Sequence, residues 1–401
     1  MRIAYIVAPL ALLLAGCASG TSTAATQAAA PASEAPAMNY YVYVGAESAD
    51  LMHRIKLGPE GASVDATIPV GEMAVETEGP HGFNTSSDGK YIYMTTGHGA
   101  PDGKLWKFEA GADTLVGTPT FLGWFPATLD LTPDGLYAFV ANFNLHGEMV
   151  PSTVSVVYTP DMLEVAQIET CVMPHGLRMS PNGLFAYSNC MMNDVMVEID
   201  TRTFEVSRML SVAPGSEGPI DLPMDHSGMD HSGMDMGGMA GMEGMEMGGL
   251  PMSNACSPTW AEPSVDGSRI FIACNKGGRI LEVDANSFEL LRTFSTGTGP
   301  YNIDATADGR LLVVSLKPSA SVEFIDIASG RSLAITPSST TITHGVVVSP
   351  DSRYAFVTVE GVGSEPGKVD IYDLRTFERI ADLEVGQQAG GITFWKMDPA
   401  N

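Results

Sequence analysis

The chain has 401 residues and is strongly acidic, with 21 Lys and Arg against 47 Asp and Glu and a formal net charge of −26. Proteins that bind nucleic acid need clustered basic residues to neutralise phosphates, so this charge argues against a nucleic-acid partner. It is compatible with cations or basic partners. The length alone would suggest two or three domains, but the repeat described below places nearly all of it in one.

The first 38 residues have the composition of a targeting segment followed by a tether. Residues 1–16 combine a basic start with an apolar run too short to span a bilayer, as in a secretory signal peptide. The segment Leu14-Ala15-Gly16-Cys17 resembles the lipobox of bacterial lipoproteins, which implies cleavage before Cys17 and acylation of that cysteine. Residues 17–38 are rich in Ala, Ser, Thr and Pro, and we expect a flexible tether.

These features predict a protein anchored by lipid to the cell envelope. Ala18, directly after the lipidated cysteine, resembles outer-membrane sorting in a Gram-negative cell. We therefore expect the protein at the periplasmic face of the outer membrane. The alternative is an ordinary secreted protein in which Cys17 occurs by chance.

Most of the chain follows a repeat that predicts β-strands. An Asp or Asn, usually followed by Gly, lies seven residues after a residue that we call the lead residue. The runs on both sides of this turn alternate or are wholly apolar, as in strands, and the turn residues favour a hairpin. The six repeats run from lead residue to turn as His81 to Asp88, Ala127 to Asp134, His175 to Asn182, Thr259 to Asp266, Tyr301 to Asp308 and His344 to Asp351.

Four strands per unit at a period near 43 residues indicate an all-β propeller. The chain ends supply one further blade: strands expected at 40–45, 52–57 and 63–70 lack an inner strand, and a lone strand is expected at 391–397. We therefore predict a seven-bladed β-propeller of four-stranded antiparallel blades over residues 39–398. It is closed by pairing of the N- and C-terminal strands, which leaves no exposed sheet edge.

The strand endings carry a family resemblance. Phe139-Val140-Ala141-Asn142 and the run from Tyr354 to Thr358 resemble the Tyr-Val-Thr-Asn (YVTN) repeat of a family of seven-bladed propellers, over about residues 40–397. The resemblance implies the fold. Similar rings serve as lactonases, redox subunits, metal-handling proteins and scaffolds, so it leaves the function open.

About forty extra residues, 214–254, separate the fourth and fifth blades, and we expect them to be disordered. They repeat Met-Asp-His-Ser-Gly and contain no Lys or Arg, and they resemble the tracts of bacterial copper-resistance and copper-trafficking proteins. Thioethers suit Cu(I), whereas imidazole and carboxylate suit Cu(II) or Zn(II). The alternatives are a low-complexity loop, a sink for oxidants or a surface for a protein partner. The candidate ligands of copper, or alternatively zinc, are Met224, His226, Met229, His231, Met234 and Met236.

Four cysteines besides Cys17 lie near lead residues. Cys171 and Cys256 precede lead residues, and Cys190 and Cys274 each follow one by 15 residues, which places them at one rim of a blade. In an oxidising compartment, Cys171–Cys190 and Cys256–Cys274 are therefore natural disulfide pairs. A cross-blade bond between Cys190 and Cys256, or thiolate metal ligands, remain as alternatives.

The lead residues should surround one mouth of the central channel, because the inner strands of a propeller line its axis. Three of them, His81, His175 and His344, are histidines. Three neutral imidazoles with an open position suit Zn(II) or copper, and the pattern resembles propellers that hold an axial metal with histidines from several blades. The alternative is that they are hydrogen-bonded turn residues. His98 and His146 would join this face if their loops fold inward.

The sequence contains no nucleophile elbow, phosphate-binding loop or zinc-protease motif. Glu262, Asp304 and Glu360 are expected near the channel, so a lactonase-like, metal-dependent hydrolase is one alternative and a protein-binding scaffold another. The sequence favours a membrane-tethered, extracytoplasmic propeller that binds copper or zinc for trafficking or sequestration. A protein partner in the periplasm is expected as well.

Overall fold

The computed structural model describes residues 35–73, 75–98, 103–220, 246–247 and 250–400. These residues form seven antiparallel blades, each built on four strands, which confirms the predicted all-β propeller. Short 3-10 helices at Glu47–Ala49 and Lys317–Ser319 follow the second strands of blades one and six. Within the described ranges, no helix is long and apolar enough to cross a membrane.

The strands, in chain order, are β1 (Met38–Ala46), β2 (Leu51–Gly58) and β3 (Gly61–Pro69) in blade one; β4 (Pro80–Thr85), β5 (Tyr91–Thr96), β6 (Lys104–Glu109), β7 (Thr114–Leu115) and β8 (Thr120–Phe121) in blade two; β9 (Pro126–Leu131), β10 (Tyr137–Asn142), β11 (Pro151–Tyr158) and β12 (Leu163–Val172) in blade three; β13 (Pro174–Met179), β14 (Phe185–Cys190), β15 (Val195–Asp200), β16 (Glu205–Ser211) and β17 (Gly218–Ile220) in blade four; the separate pair β18 (Glu246–Met247) and β19 (Leu250–Pro251); β20 (Pro258–Pro263), β21 (Arg269–Cys274), β22 (Arg279–Asp284) and β23 (Leu290–Ser295) in blade five; β24 (Pro300–Ala305), β25 (Leu311–Leu316), β26 (Ser321–Asp326) and β27 (Arg331–Pro337) in blade six; β28 (Thr343–Val348), β29 (Tyr354–Val359), β30 (Lys368–Asp373) and β31 (Glu378–Glu384) in blade seven; and β32 (Ala389–Pro399), which returns to blade one.

The repeated turns share one hydrogen bond. In each, a Ser or Thr hydroxyl donates to the Oδ1 atom of the Asp or Asn two residues later, at 2.6–2.8 Å. The next residue has φ between 69° and 71° in the five turns with Gly and 57° at Ser352 in the sixth. Positive φ explains why Gly occupies this position in five repeats. The six donor–acceptor pairs are Ser86–Asp88, Thr132–Asp134, Ser180–Asn182, Ser264–Asp266, Thr306–Asp308 and Ser349–Asp351.

The ring closes within blade one, whose sheet order is β3-β2-β1-β32. The C-terminal strand β32 pairs antiparallel with β1 and places Val42 opposite Phe394 and Tyr43 opposite Thr393. This confirms the predicted closure. The apolar core lies between neighbouring blades; for example, Val42 and Ile55 of blade one pack with Phe356 of blade seven.

Hydroxyl groups between blades fix the backbone of the lead residues. Thr259 Oγ1 of blade five donates to the carbonyl oxygen of Tyr301 in blade six at 2.7 Å. Ser315 Oγ donates to that of His344 at 2.6 Å, and Thr128 Oγ1 to that of His175. Because these donors are buried, the bonds hold these three lead residues in fixed positions around the channel mouth.

Two disulfide bonds lie on either side of the insertion in the sequence. Cys171 of β12 is joined to Cys190 at the end of β14, and Cys256, just before β20, is joined to Cys274 at the end of β21. The first bond therefore connects blades three and four. The insertion expected at 214–254 begins with ordered structure, because β17 pairs with β16 as a fifth strand of blade four.

Candidate functional site at the channel mouth

Three imidazoles meet at one mouth of the channel. His81, His175 and His344 are 8%, 2% and 5% exposed. The ring centroids of His81 and His344 are 5.7 Å apart, and Tyr301 lies 4.8 Å from His344 and 5.4 Å from His175. The structure therefore brings the three histidines singled out in the sequence to a single cleft.

Each of these histidines is held through its Nδ1 atom. Nδ1 of His175 donates to the carbonyl oxygen of Thr259 at 3.1 Å, and Nδ1 of His344 donates to that of Gly390 at 3.2 Å. In both cases the acceptor is the second residue of the inner strand in the next blade. His81 Nδ1 instead lies 3.0 Å from Glu47 Oε2. Since carbonyl and carboxylate oxygens only accept, Nδ1 carries the proton, and in the neutral tautomer Nε2 keeps its lone pair.

The Nε2 atoms differ in their surroundings. His175 Nε2 accepts a hydrogen bond of 2.9 Å from the Tyr301 hydroxyl. His344 Nε2 lies 3.7 Å from Glu360 Oε1. No described residue donates a hydrogen bond to Nε2 of His81 or His344. Burial, with His81 nearby, lowers the pKa of His175 to about 3, and burial together with Lys317 lowers the pKa of His344 well below 6.5, so both are neutral ligands or bases.

Glu47 forms a buried anionic support beside His81. It is 2% exposed, and its second oxygen, Oε1, accepts a short hydrogen bond from His98 Nε2. Burial by itself would raise the pKa of Glu47, but the interactions with His81 and His98 outweigh it and lower the pKa to about 2. The hydrogen bond between His98 and Glu47 raises the pKa of His98. Gln388 Nε2 also donates to Glu47 Oε2, at 3.0 Å.

A second charged group lies across the mouth. Lys317 Nζ is 3.0 Å from Glu360 Oε1 and 4.2 Å from the centroid of the Tyr301 ring. Burial would lower the pKa of Lys317, but Tyr301 and Glu360 raise it, so the ammonium group stays charged. The charged ammonium group of Lys317 therefore lies beside the Tyr301 ring, whose hydroxyl donates a hydrogen bond to His175.

These groups line a cleft of about 540 Å³. Its apolar wall includes Phe125 and Phe143, and Phe125 packs against the rings of His81 and His98 at 5.1 and 5.0 Å. His146 also lies on this face, with its ring 5.7 Å from that of His98. The volume is within the range of small-molecule sites, and the polar groups are concentrated around the three central imidazoles.

As they are placed, no three His, Cys, Asp or Glu side chains among the described residues form a group that could hold a metal ion. The hydrogen bond from Tyr301 also occupies the lone pair of His175 Nε2. An ion at this mouth would therefore bind first to the unoccupied Nε2 atoms of His81 and His344.

A second polar layer lies three residues further along the inner strands. Arg178 Nε is 3.3 Å from Glu262 Oε2, and Asp304 Oδ2 accepts the backbone N–H of Val348 at 2.7 Å. Burial and the nearby Asp304 raise the pKa of Glu262, whereas burial raises the pKa of Asp304 to about 6 against the attraction of Arg178. Glu262 and Asp304 thus belong to this inner layer, whereas Glu360 lies at the mouth.

Replacing Asp304 with asparagine should stabilise the protein at neutral pH. A carboxyl group whose folded pKa is raised contributes stability below its unfolded pKa and loses it as the pH rises through the folded value. The stability that the Asp304 carboxyl group contributes is therefore lost between about pH 4 and pH 6. We expect Asp304→Asn to match the wild type near pH 4 and to exceed it by about 2–3 kcal/mol above pH 7, measured by urea unfolding. A difference independent of pH would contradict this account.

Sequence reasoning missed Glu47 and Lys317, although a repeat could have revealed Lys317. Residues 16 positions after a lead residue follow the second strand of each blade and line the cleft. Lys317 follows Tyr301 at this distance, and Glu360 follows His344. The full set at this offset in the cleft is Phe143, Met191, Asn275, Lys317 and Glu360.

Several residues singled out in the sequence lie outside the described residues. They are the lipidation candidate Cys17 and the candidate metal ligands Met224, His226, Met229, His231, Met234 and Met236.

Fold and site together define a seven-bladed β-propeller with an imidazole-lined channel mouth. No protein-family model and no curated protein sequence matches the chain. Among solved structures it is similar to the periplasmic gluconolactonase PpgL of Pseudomonas aeruginosa, with 17% identity, 89% of this chain and 99% of that chain covered, and a TM-score of 0.65. A putative 6-phosphogluconolactonase of Bacteroides fragilis has 14% identity, covers 89% and 98%, and has a TM-score of 0.62.

Hydrazine synthase of Kuenenia stuttgartiensis is also similar, with 18% identity, 81% of this chain and 92% of that chain covered, and a TM-score of 0.59. At these identities the likeness establishes the shared fold alone.

Proposed function

We propose that the chain is an extracytoplasmic propeller that binds a transition metal ion, copper or alternatively zinc, at the channel mouth. The observation that carries the proposal is the anchoring of His81, His175 and His344 through Nδ1 to an oxygen acceptor. Metal-binding histidines commonly donate their other ring N–H to a carboxylate or carbonyl, because this fixes the tautomer and orients the ring.

The spacing of the His81 and His344 imidazoles supports one shared ion. Metal–nitrogen bonds of about 2.0–2.1 Å place the ring centroids of two ligands on one ion roughly 6 Å apart or less. The centroids of His81 and His344 are 5.7 Å apart. His175 would become a third ligand if the Tyr301 hydroxyl turned away from its Nε2 atom. Copper and zinc both accept neutral imidazole, and burial keeps His175 and His344 neutral.

We propose in addition that the insertion binds copper and that a lipid anchors the protein. The Met- and His-rich insertion would bind copper by its composition, and a lipid on Cys17 would hold a YVTN-type propeller at the periplasmic face of the outer membrane. Two disulfide bonds support an oxidising compartment. Trafficking or sequestration would then involve exchange of the metal with a protein partner in the same compartment.

Metal analysis of untagged protein tests the function. We expect wild-type protein to bind copper or zinc and His81→Ala/His344→Ala to lose one equivalent, because both unoccupied Nε2 atoms are gone. His146→Ala is the matched control, since His146 is an exposed imidazole on the same face. A separate deletion of residues 224–252 should lower the remaining copper stoichiometry. Full binding by the double variant, with its fold intact by circular dichroism, would contradict the mouth site.

A second candidate function is hydrolysis of a small lactone in the same cleft. It is favoured by the neutral His344, whose Nε2 is positioned to take a proton from water, beside the charged pair Lys317–Glu360. Two similar structures are described as a gluconolactonase and a putative 6-phosphogluconolactonase. A lactone-hydrolysis screen separates the two functions: turnover that His344→Ala abolishes supports the hydrolase, and metal binding without turnover supports the metal protein.

A further inference from the structure

A small cavity lies on the channel axis directly beside the three histidines. Its volume is about 30 Å³, and its lining includes His81, His175, His344 and Asn302. A space of this size holds about two water molecules, or one ion bound by atoms of the lining.

Asn302 places an unsatisfied oxygen in this lining. It follows the lead residue Tyr301 on β24, is 4% exposed, and its Oδ1 atom has no hydrogen-bond partner in the described protein. A buried polar atom without a partner costs about 1–3 kcal/mol and calls for an explanation such as a bound ion or water. The backbone N–H of Asn302 is satisfied separately by Ser315 Oγ at 3.0 Å, so the residue is firmly placed.

The imidazoles alone do not complete a set of metal ligands, and Asn302 lines the same cavity. His175 Nε2 is engaged by Tyr301, which leaves two free imidazole nitrogens, on His81 and His344. Two nitrogens alone make an incomplete site, because zinc and copper sites usually have three or more protein ligands. An amide oxygen in the same cavity supplies a third donor without breaking the Tyr301 hydrogen bond.

Resting on the proposed metal function, we propose that Asn302 Oδ1 is an oxygen ligand to the ion bound by His81 and His344, and that it selects Cu(II) and Zn(II) over Cu(I). An amide oxygen is a hard donor. Cu(I) instead prefers soft sulfur ligands such as thioethers. The axial cavity is thus specific for the divalent state.

Asn302→Leu tests this assignment, because it keeps a similar shape and removes the oxygen. We expect its affinity for Cu(II) and Zn(II), measured by chelator competition, to fall about tenfold or more, with Cu(I) affinity nearly unchanged. Asn302→Asp should bind the divalent ions more tightly than the wild type because it adds a negative charge at the ligand position. A purely structural role for Asn302 would not produce this opposite pair of shifts.

Asn189→Leu is the matched control. Asn189 is also fully buried with unpartnered side-chain atoms, but it is absent from the lining of the axial cavity. It should leave all three affinities unchanged. Divalent binding by Asn302→Leu equal to that of the wild type, or an equal loss in Asn189→Leu, overturns the assignment. Wild-type protein that binds no metal overturns the proposed function and this inference with it.

Discussion

Replacing Gly391 with alanine is expected to destabilise the protein by about 3 kcal/mol, because the added methyl group collides with fixed backbone. A Cβ atom at Gly391 would lie 1.8 Å from the carbonyl oxygen of His81 and 2.7 Å from the ring of Phe83. Gly391 is on the closing strand β32, and His81 is on the inner strand of blade two. The backbone oxygen cannot rotate away as a flexible side chain could, so the two blades must separate. Urea unfolding monitored by tryptophan fluorescence measures the loss.

Gly390→Ala is the matched control one residue earlier. Its added Cβ atom would lie 3.5 Å from Glu47 Oε2 and 3.9 Å from His81 Nδ1, which are ordinary contact distances. We expect its unfolding free energy to stay within about 0.5 kcal/mol of the wild type. Equal unfolding midpoints for the two variants would show that blades one and two do not approach each other as closely as described.

Replacing Asp194 with alanine is expected to cost about 3–5 kcal/mol, because it leaves several buried donors without an acceptor. The Asp194 carboxylate is fully buried between β14 and β15. It accepts the hydroxyl of Ser253 at 2.6 Å and the backbone N–H groups of Ala255 and Ser257, both at 2.7 Å. It therefore fixes the segment that leads from the insertion into blade five. Hydrogen exchange at the amides of Ala255 and Ser257 should rise sharply in the variant.

Asp194→Asn separates the lost acceptor from the lost volume. The amide keeps one oxygen acceptor, so we expect a smaller loss of stability and partial retention of the protection at Ala255 and Ser257. Amide protection in Asp194→Ala equal to that of the wild type would contradict the proposed role of the carboxylate.

The fold could be predicted because its signals are local and repeated. The spacing of seven residues from lead residue to turn reflects one strand and one hairpin, as in His81 to Asp88, and the Ser or Thr two residues before the Asp adds a local hydrogen bond. The pairing of β32 with β1 joins residues more than 300 positions apart. It was predictable only because three strands at the N-terminal end and one at the C-terminal end together complete one blade.

The hydrogen bonds of the site were not predictable, because they join residues far apart in the sequence. Tyr301 binds His175 from 126 positions away, which removes one of the three imidazole lone pairs expected on the axis. Glu47 reaches His81 from the short 3-10 helix after β1, in blade one. No pattern within one repeat specifies such pairs, since each depends on which side chains neighbouring blades present to the same mouth.

The expected bounds of the insertion also differ from the structure for a physical reason. Residues Gly218–Ile220 lie within the segment 214–254, yet they pair with the edge strand β16, with Met209 opposite Ile220. An unpaired edge offers hydrogen-bonding groups to any nearby extended segment. Composition could not show this pairing, because Gly-Pro-Ile has no alternation long enough to indicate a strand.

Anomalous diffraction at the copper edge, from crystals of untagged protein soaked with Cu(II), shows directly whether the channel mouth binds the ion. We expect one strong peak on the channel axis, within bonding distance of Nε2 of His81 and His344 and adjacent to Asn302 Oδ1. A well-occupied peak elsewhere on the propeller, with none between these two imidazoles, would contradict it.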